Sequence, residues 1–281
     1  MAVGRQECPL IFGPNFQSRT MKRLTVLVLV SMFITSDAHA ETFRIATYNL
    51  NWGNQRGDQV LDAIATAKPD VICFQETTPQ SEGFLQRQLR GTYPYFYASG
   101  HQGQFAAERL AFASKTELTN LKFHPPVEGL FGFYSARLQI AERDVHLVNV
   151  HLDPFRVTRN IGFRDAMVML SKTEKTHERE IARILKTIDP RKPTIVIGDF
   201  NSLSKFTAPT QLRELGMIDA FAAVHDDADN HPTWTWPTRP LPLTLRIDYI
   251  FHTDHFQTTA AKIVRREGSD HSLLVASLKL K

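Results

Sequence analysis

Eight polar residues stand at, or within two positions of, the end of an apolar run: Asn49 in TYNL, Glu76 in CFQET, His151 in VNVHLD, Asp199 and Asn201 in IVIGDFNS, Asp248 in RIDYIF, and Asp270 and His271 in GSDHSLL. A carboxylate such as Asp199, carried to the end of a buried strand, either shifts its pKa or finds a cation or a donor. The set is rich in oxygen donors, holds two imidazoles and lacks cysteine. That chemistry suits a hard divalent cation, Mg²⁺ or Mn²⁺, which keeps waters and leans on phosphate oxygens rather than on a closed protein cage. Zinc would call for more His or Cys.

The elements that must position these residues are legible in outline. FRIATYNL alternates, DVICFQET and TIVIGDFNS are continuous apolar runs, and RDVHLVNVHLD ends on His151. The apolar spacing of DQVLDAIATAKPD predicts a crossover helix between the first two strands, and THEREIARILKTI predicts another before TIVIGDFNS. Short runs between Tyr93 and Val150 (YPYFYAS, RLAFAS, YSARLQI) read as antiparallel hairpins, and LRIDYIFH, FQTTAAKIV and SLLVASLKL close the chain as strands. The alternation implies an α/β fold of two mixed sheets packed face to face with helices outside. The polar strand ends then converge at one edge, where open α/β sheets bind ligands.

Composition bounds the remaining choices. Lys22-Arg23, the apolar stretch Leu24–Ile34 and Ala38-His39-Ala40 form a leader over about residues 21–40, too short to span a bilayer and set for cleavage after Ala40. Met21 stands where such a leader begins, so residues 1–20 read as an over-extended start. A periplasmic or secreted protein is expected, with residues 41–281 forming one domain, a monomer without a membrane span in the mature chain. Cys8 falls in the removed segment and leaves Cys73 alone, so no internal disulfide can form. The net charge of +4 falls to +2 once the leader is gone, too little excess for a long duplex footprint.

In order and together, TYNL, QET, VHL, GDFNS, RIDYIF and SDH resemble the motifs of the endonuclease/exonuclease/phosphatase superfamily, which includes deoxyribonuclease I, exonuclease III, sphingomyelinases and inositol-phosphate phosphatases. The resemblance spans the mature chain and implies a four-layer α/β sandwich and metal-dependent phosphoesterase chemistry. It assigns Glu76 to the divalent ion with help from Asn49, and Asp270 to a second carboxylate on the metal side. Asp199 is to orient or deprotonate the attacking water, Asn201 to fix that water or the phosphate, and His151 and His271 to donate to non-bridging oxygens. Asp248 matches the residue that orients His271, and Glu108 in AAERLAFAS matches the carboxylate behind His151.

The deoxyribonuclease I branch grips the minor groove through an Arg and a Tyr, where this chain has Thr78 and Ala106. The phosphate-ester substrate thus stays open between nucleic acid, with nuclease-like chemistry, and a phospholipid or polyprenyl phosphate; a non-catalytic binding module ranks last because every motif position is filled. The loop PFRVTRNIGFRD, Pro154 to Asp165, supplies Arg156, Arg159, Arg164, Phe155 and Phe163, which suit gripping single-stranded nucleic acid or covering a lipid headgroup, while the Phe residues equally suit a structural role. Of Trp234 and Trp236, one is expected in the core and one at the rim.

Overall fold

The computed structural model describes residues 42–100, 108–127, 131–155, 162–238 and 241–281. The leader, its cleavage signal, Ala106, Arg156 and Arg159 lie outside them. In chain order the described elements are β1 (Thr42–Asn49), α1 (Gly57–Ala67), β2 (Val71–Gln75), α2 (Pro79–Leu89), β3 (Tyr95–Ala98), β4 (Leu110–Ser114), β5 (Leu118–His124), β6 (Phe133–Ile140), β7 (Arg143–His151), α3 (Phe163–Leu185), β8 (Thr194–Asp199), α4 (Thr207–Glu214), β9 (Ile218–Asp219), β10 (Trp234–Trp236), β11 (Leu243–Leu245), β12 (Asp248–His252), β13 (Phe256–Val264) and β14 (Leu273–Leu280).

Local sequence explains the boundaries. The apolar stripe of α1, Val60, Ala63, Ile64 and Ala67, is buried, and the helix ends at Lys68 in a left-handed conformation ahead of Pro69. Thr78 caps α2 through a reciprocal box with Ser81, and Pro79 occupies the first turn where its missing N–H costs nothing. α3 starts at Phe163, well before the helix expected from Thr176 onward, so Phe163, Arg164 and Asp165 belong to it rather than to a loop. The acid at Asp165 complements the helix N-terminus.

Two six-stranded sheets result, in the orders β13-β14-β1-β2-β4-β3 and β5-β6-β7-β8-β12-β9, with β10 and β11 as a separate hairpin. Period-two alternation divides their faces. Ile45, Cys73 and Phe112 of the first sheet pack on Leu147, Ile195 and Ile197 of the second in the central core. Ala46 and Phe74 point the other way, onto Ile64 of α1 and Leu85 of α2, while Val148, Val196 and Phe251 meet Ile181 of α3 and Leu212 of α4. The layers are helices, sheet, sheet, helices: the four-layer α/β sandwich. Cys73 is the buried strand residue expected, its thiol pushed up in pKa by burial.

Each sheet is centred on a parallel pair made by a β–helix–β crossover, β1 with β2 and β7 with β8. Parallel strands deliver their C-terminal ends to one edge. Their antiparallel neighbours β4, β12 and β14 deliver their N-terminal ends to it. Register finishes the alignment, because His151 lies opposite Asp199 and Asp199 opposite Asp248. Close approach of β7 and β8 depends on Gly198, whose φ is +149° and where a Cβ would meet Val150 O at 1.9 Å.

Candidate active site

The sheets are pinned together directly beneath this edge. Gln75 Nε2 donates to Asn149 Oδ1 at 2.7 Å, Asn149 Nδ2 donates to Phe74 O and Ala111 O, and Thr47 Oγ1 donates to Gln75 Oε1, all of them buried. Polar groups this deep are tolerated because each finds a partner, and partners fixed across two sheets leave little room for sliding.

Above that layer, Asn49 Nδ2 donates both to Glu76 Oε1 (3.1 Å) and to Asp199 Oδ2 (2.9 Å), so one amide spans the two sheets' carboxylates. Asp199 Oδ1 accepts the backbone N–H of Asn201, and Asn201 Nδ2 donates to Leu152 O. Both Glu76 and Asn201 have positive φ, 54° and 45°. For a Glu this conformation is strained and persists only where the surroundings impose it, which is typical of a functional position. His271 Nδ1 lies 3.0 Å from Asp248 Oδ2, and its Nε2 lies 3.6 Å from Asp199 Oδ2. His151 Nε2 is 3.6 Å from the same Asp199 oxygen and 3.8 Å from Glu76 Oε1. Asp199 is thus flanked by two imidazoles.

Electrostatics follow from burial. Asp199 is raised to about 6 by burial, against the pull of His271. Burial alone would depress His271, but the Asp248 and Asp199 carboxylates lift it to about 10, which makes it an imidazolium. Glu76 is raised by burial and restrained by the Asn49 hydrogen bond.

Asp199, Asp248 and His271 lie close enough together to suggest a chelate. The cluster also satisfies itself without an ion, because His271 spends Nδ1 on Asp248 in a hydrogen bond while its Nε2, 3.6 Å from Asp199, stays open. Among the described residues the ion pairs of Glu76, Asp199 and Asp248 are all with imidazoles. That leaves an excess of carboxylate charge, set in oxygen and amide donors, which fits a hard divalent ion.

A sequence model described as the endonuclease/exonuclease/phosphatase family matches residues 46–271. The chain belongs to this family. It is accordingly a metal-dependent hydrolase of phosphoric ester bonds. Among its relatives in the family, the DNA repair nuclease APEX1 of Danio rerio is 24% identical over 245 residues, covering 76% of this chain and 74% of that protein. An endonuclease/exonuclease/phosphatase from Bacteroides vulgatus superimposes with a TM-score of 0.65 at 18% identity, covering 86% of this chain and all of that one (100%). D. rerio TDP2, in complex with a single-strand DNA product, superimposes at 0.64 and 14% identity, covering 85% and 99%.

The family motifs come together as their order in the sequence suggests, with three refinements. Asp270 is held to one side, its Oδ2 accepting Trp234 Nε1 (3.0 Å) and its Oδ1 accepting Asn51 Nδ2 (2.9 Å). Glu108 is buried just ahead of β4, next to the strand of Glu76 and at the same edge. Phe155 takes the structural role open to it, buried edge-on against Trp234 under the β10–β11 hairpin. Trp234 is the buried member of its pair, and Trp236 is half-buried and stacked on it.

Sequence reasoning missed a group on α3. Glu174, His177 and Glu180 recur at intervals of three on its inner face. Glu180 accepts the N–H groups of Phe131 (2.7 Å) and Asp153 (3.0 Å), and Phe131 stands edge-on to His151. Glu174 accepts Thr207 N and Ser202 Oγ beyond β8. His177 Nε2 faces Asp153 O at 2.8 Å and Nδ1 faces Glu174 Oε1 at 3.3 Å. One helix face therefore buckles together the loops that follow His151 and Asn201. The signal was present as a His set three residues from a Glu on either side in a helical stretch, a pattern too common on solvated faces to single out.

Proposed function

We propose that this chain is an exported phosphodiesterase of nuclease-like chemistry, using Mg²⁺ or Mn²⁺. The observation that carries the reading is the buried carboxylate of Asp199, hydrogen-bonded at both oxygens and set between two imidazoles at the edge of the sandwich. Glu76, with Asn49 and Asp270, would hold the ion, which when bound supplies positive charge to the phosphate. Asp199 accepts a proton from the attacking water, and its raised pKa brings it nearer the working range of a base. The Asn201 backbone N–H fixes its orientation. His271, committed to Asp248 through Nδ1, keeps Nε2 to donate to a non-bridging oxygen as charge develops there. His151 serves from the opposite side, with Glu108 behind it.

Nucleic acid is favoured over phospholipid as substrate by similarity to a DNA repair nuclease and to a structure holding a single-strand DNA product. Thr78 in place of the groove-gripping Arg favours single strands over duplex. Export rests on the leader, and residues 41–281 would be the mature, monomeric domain; among the described residues no helix is long and apolar enough to cross a membrane. Purified protein with Mg²⁺ or Mn²⁺ should cleave single-stranded DNA or RNA and bis-p-nitrophenyl phosphate, with a mature N-terminus at Glu41 in a periplasmic or culture fraction. Turnover of phospholipid vesicles alone would replace the nuclease reading with a lipase-like one, and an intact leader on cytoplasmic protein would defeat export.

A further inference from the structure

A cleft of about 590 Å³ opens beside Glu76, between the β1–α1 loop and the first turns of α2. Its volume lies in the range of about 300–1,000 Å³ usual for small-ligand sites. Trp52 stands in it 60% exposed, the most exposed aromatic residue among those described. This indole is not on a loose loop. Asn49 Oδ1 accepts Asn51 N, Asn51 Oδ1 accepts Gly53 N, Asn54 N donates to Asn51 O, and Trp52 N itself donates to Glu76 Oε2 at 3.1 Å. Phe84 forms a second aromatic surface, admitted because Gly57 has no side chain: a Cβ there would fall 2.6 Å from the ring.

Around these two rings the lining mixes the apolar Leu50, Val60 and Leu85 with the amides of Gln55 and Gln80, and Arg87 contributes a cation and Asp58 an anion. An acyl chain lying here would leave the Gln55 and Gln80 amides without hydrogen bonds. A planar heterocycle would not, since its face stacks on indole while its edge takes amides. We propose that this cleft is a nucleobase subsite, which seats one base of a single-stranded polynucleotide on Trp52 while the neighbouring phosphodiester lies at Glu76. It rests on the nuclease reading and names the substrate class of the same site.

Binding can be read without turnover. In chelator, an oligothymidylate of about twelve nucleotides should quench the tryptophan fluorescence of the full chain. Trp52→Ala should lose that quenching and bind about ten- to a hundredfold more weakly, with Trp52→Phe recovering most of the affinity. With metal restored, the KM for the same oligonucleotide should rise in parallel while kcat moves less. Because the side chain is mostly in solvent, these variants should fold. If the oligonucleotide is cleaved and Trp52→Ala leaves both affinity and KM unchanged, the subsite is wrong and the nuclease reading stands. If no nucleic acid is bound or cleaved while phosphatidylglycerol vesicles are hydrolysed, both fall.

Discussion

His177 and His271, two of the described buried histidines set among carboxylates, are put to different use. His177 faces acceptors at both ring nitrogens, a backbone carbonyl and the Glu174 carboxylate, so both nitrogens must carry protons and both are committed. Burial would lower its pKa, but the bonds to Glu174 and Asp153 O and the nearby Glu180 charge hold it above the ordinary value. His271 is as enclosed and also cationic, yet only Nδ1 is within hydrogen-bond reach of its carboxylate; Nε2 is 3.6 Å from Asp199, beyond that reach. Burial and a perturbed pKa therefore do not by themselves mark a catalytic residue. What separates the two is an atom left over for a ligand.

The sharpest test of that contrast is removal of the metal. Chelation should abolish hydrolysis and Mg²⁺ or Mn²⁺ should restore it, while a melting scan shows the α3 buckle intact; full activity in excess chelator would break the assignment of Glu76. Next, His271→Ala and Asp199→Asn should each lower kcat on bis-p-nitrophenyl phosphate by about two to four orders of magnitude with little loss of stability. Near wild-type turnover in either folded variant would remove that residue from the mechanism. His177→Ala should show the reverse pattern. Stranding Glu174 and Glu180 without their cation costs about 3–5 kcal/mol, or about 10 °C in Tm, whereas kcat measured well below the transition should fall less than about tenfold. A larger loss of kcat than of stability would make His177 part of the reaction.

The smallest effect is in pH. Burial pushes Glu180 up to about 7, against the Asp153 N–H and the His177 charge. A raised folded pKa means that the native chain holds a proton the unfolded chain has released. Its contribution is present below the ordinary 4.5 and is lost as pH climbs toward 7. Stability should thus decline across that interval by at most about 1.4 kcal/mol per pH unit from this group, and Glu180→Gln should flatten the slope. An unchanged slope in denaturation curves at several pH values would mean that Glu180 stays ionised.

The candidate edge was legible because its residues obey a local rule. Each follows or precedes a buried strand, so an apolar run beside Glu76 or Asp248 announces both the strand and what it carries. The start of α3 was not, since its first turns expose residues such as Val168 (47%). The role of Phe155 stayed open because its burial depends on a hairpin about eighty residues away. The cleft at Trp52 could not be read either. Its shape depends on a loop that hydrogen-bonds to itself and on a missing side chain at Gly57, neither of which has a periodic signature.

Position 198 ties together two traits that engineering usually trades against each other. Any side chain there would meet the Val150 carbonyl, so β7 and β8 would have to part, and His151 and Asp199, partners in that register, would part with them. A mutant library selected for folding and one selected for turnover would discard the same substitutions at this residue. Neither a robust but inert protein nor an active but fragile one can be reached through it, and the two properties pass from parent to descendant as a single inheritance.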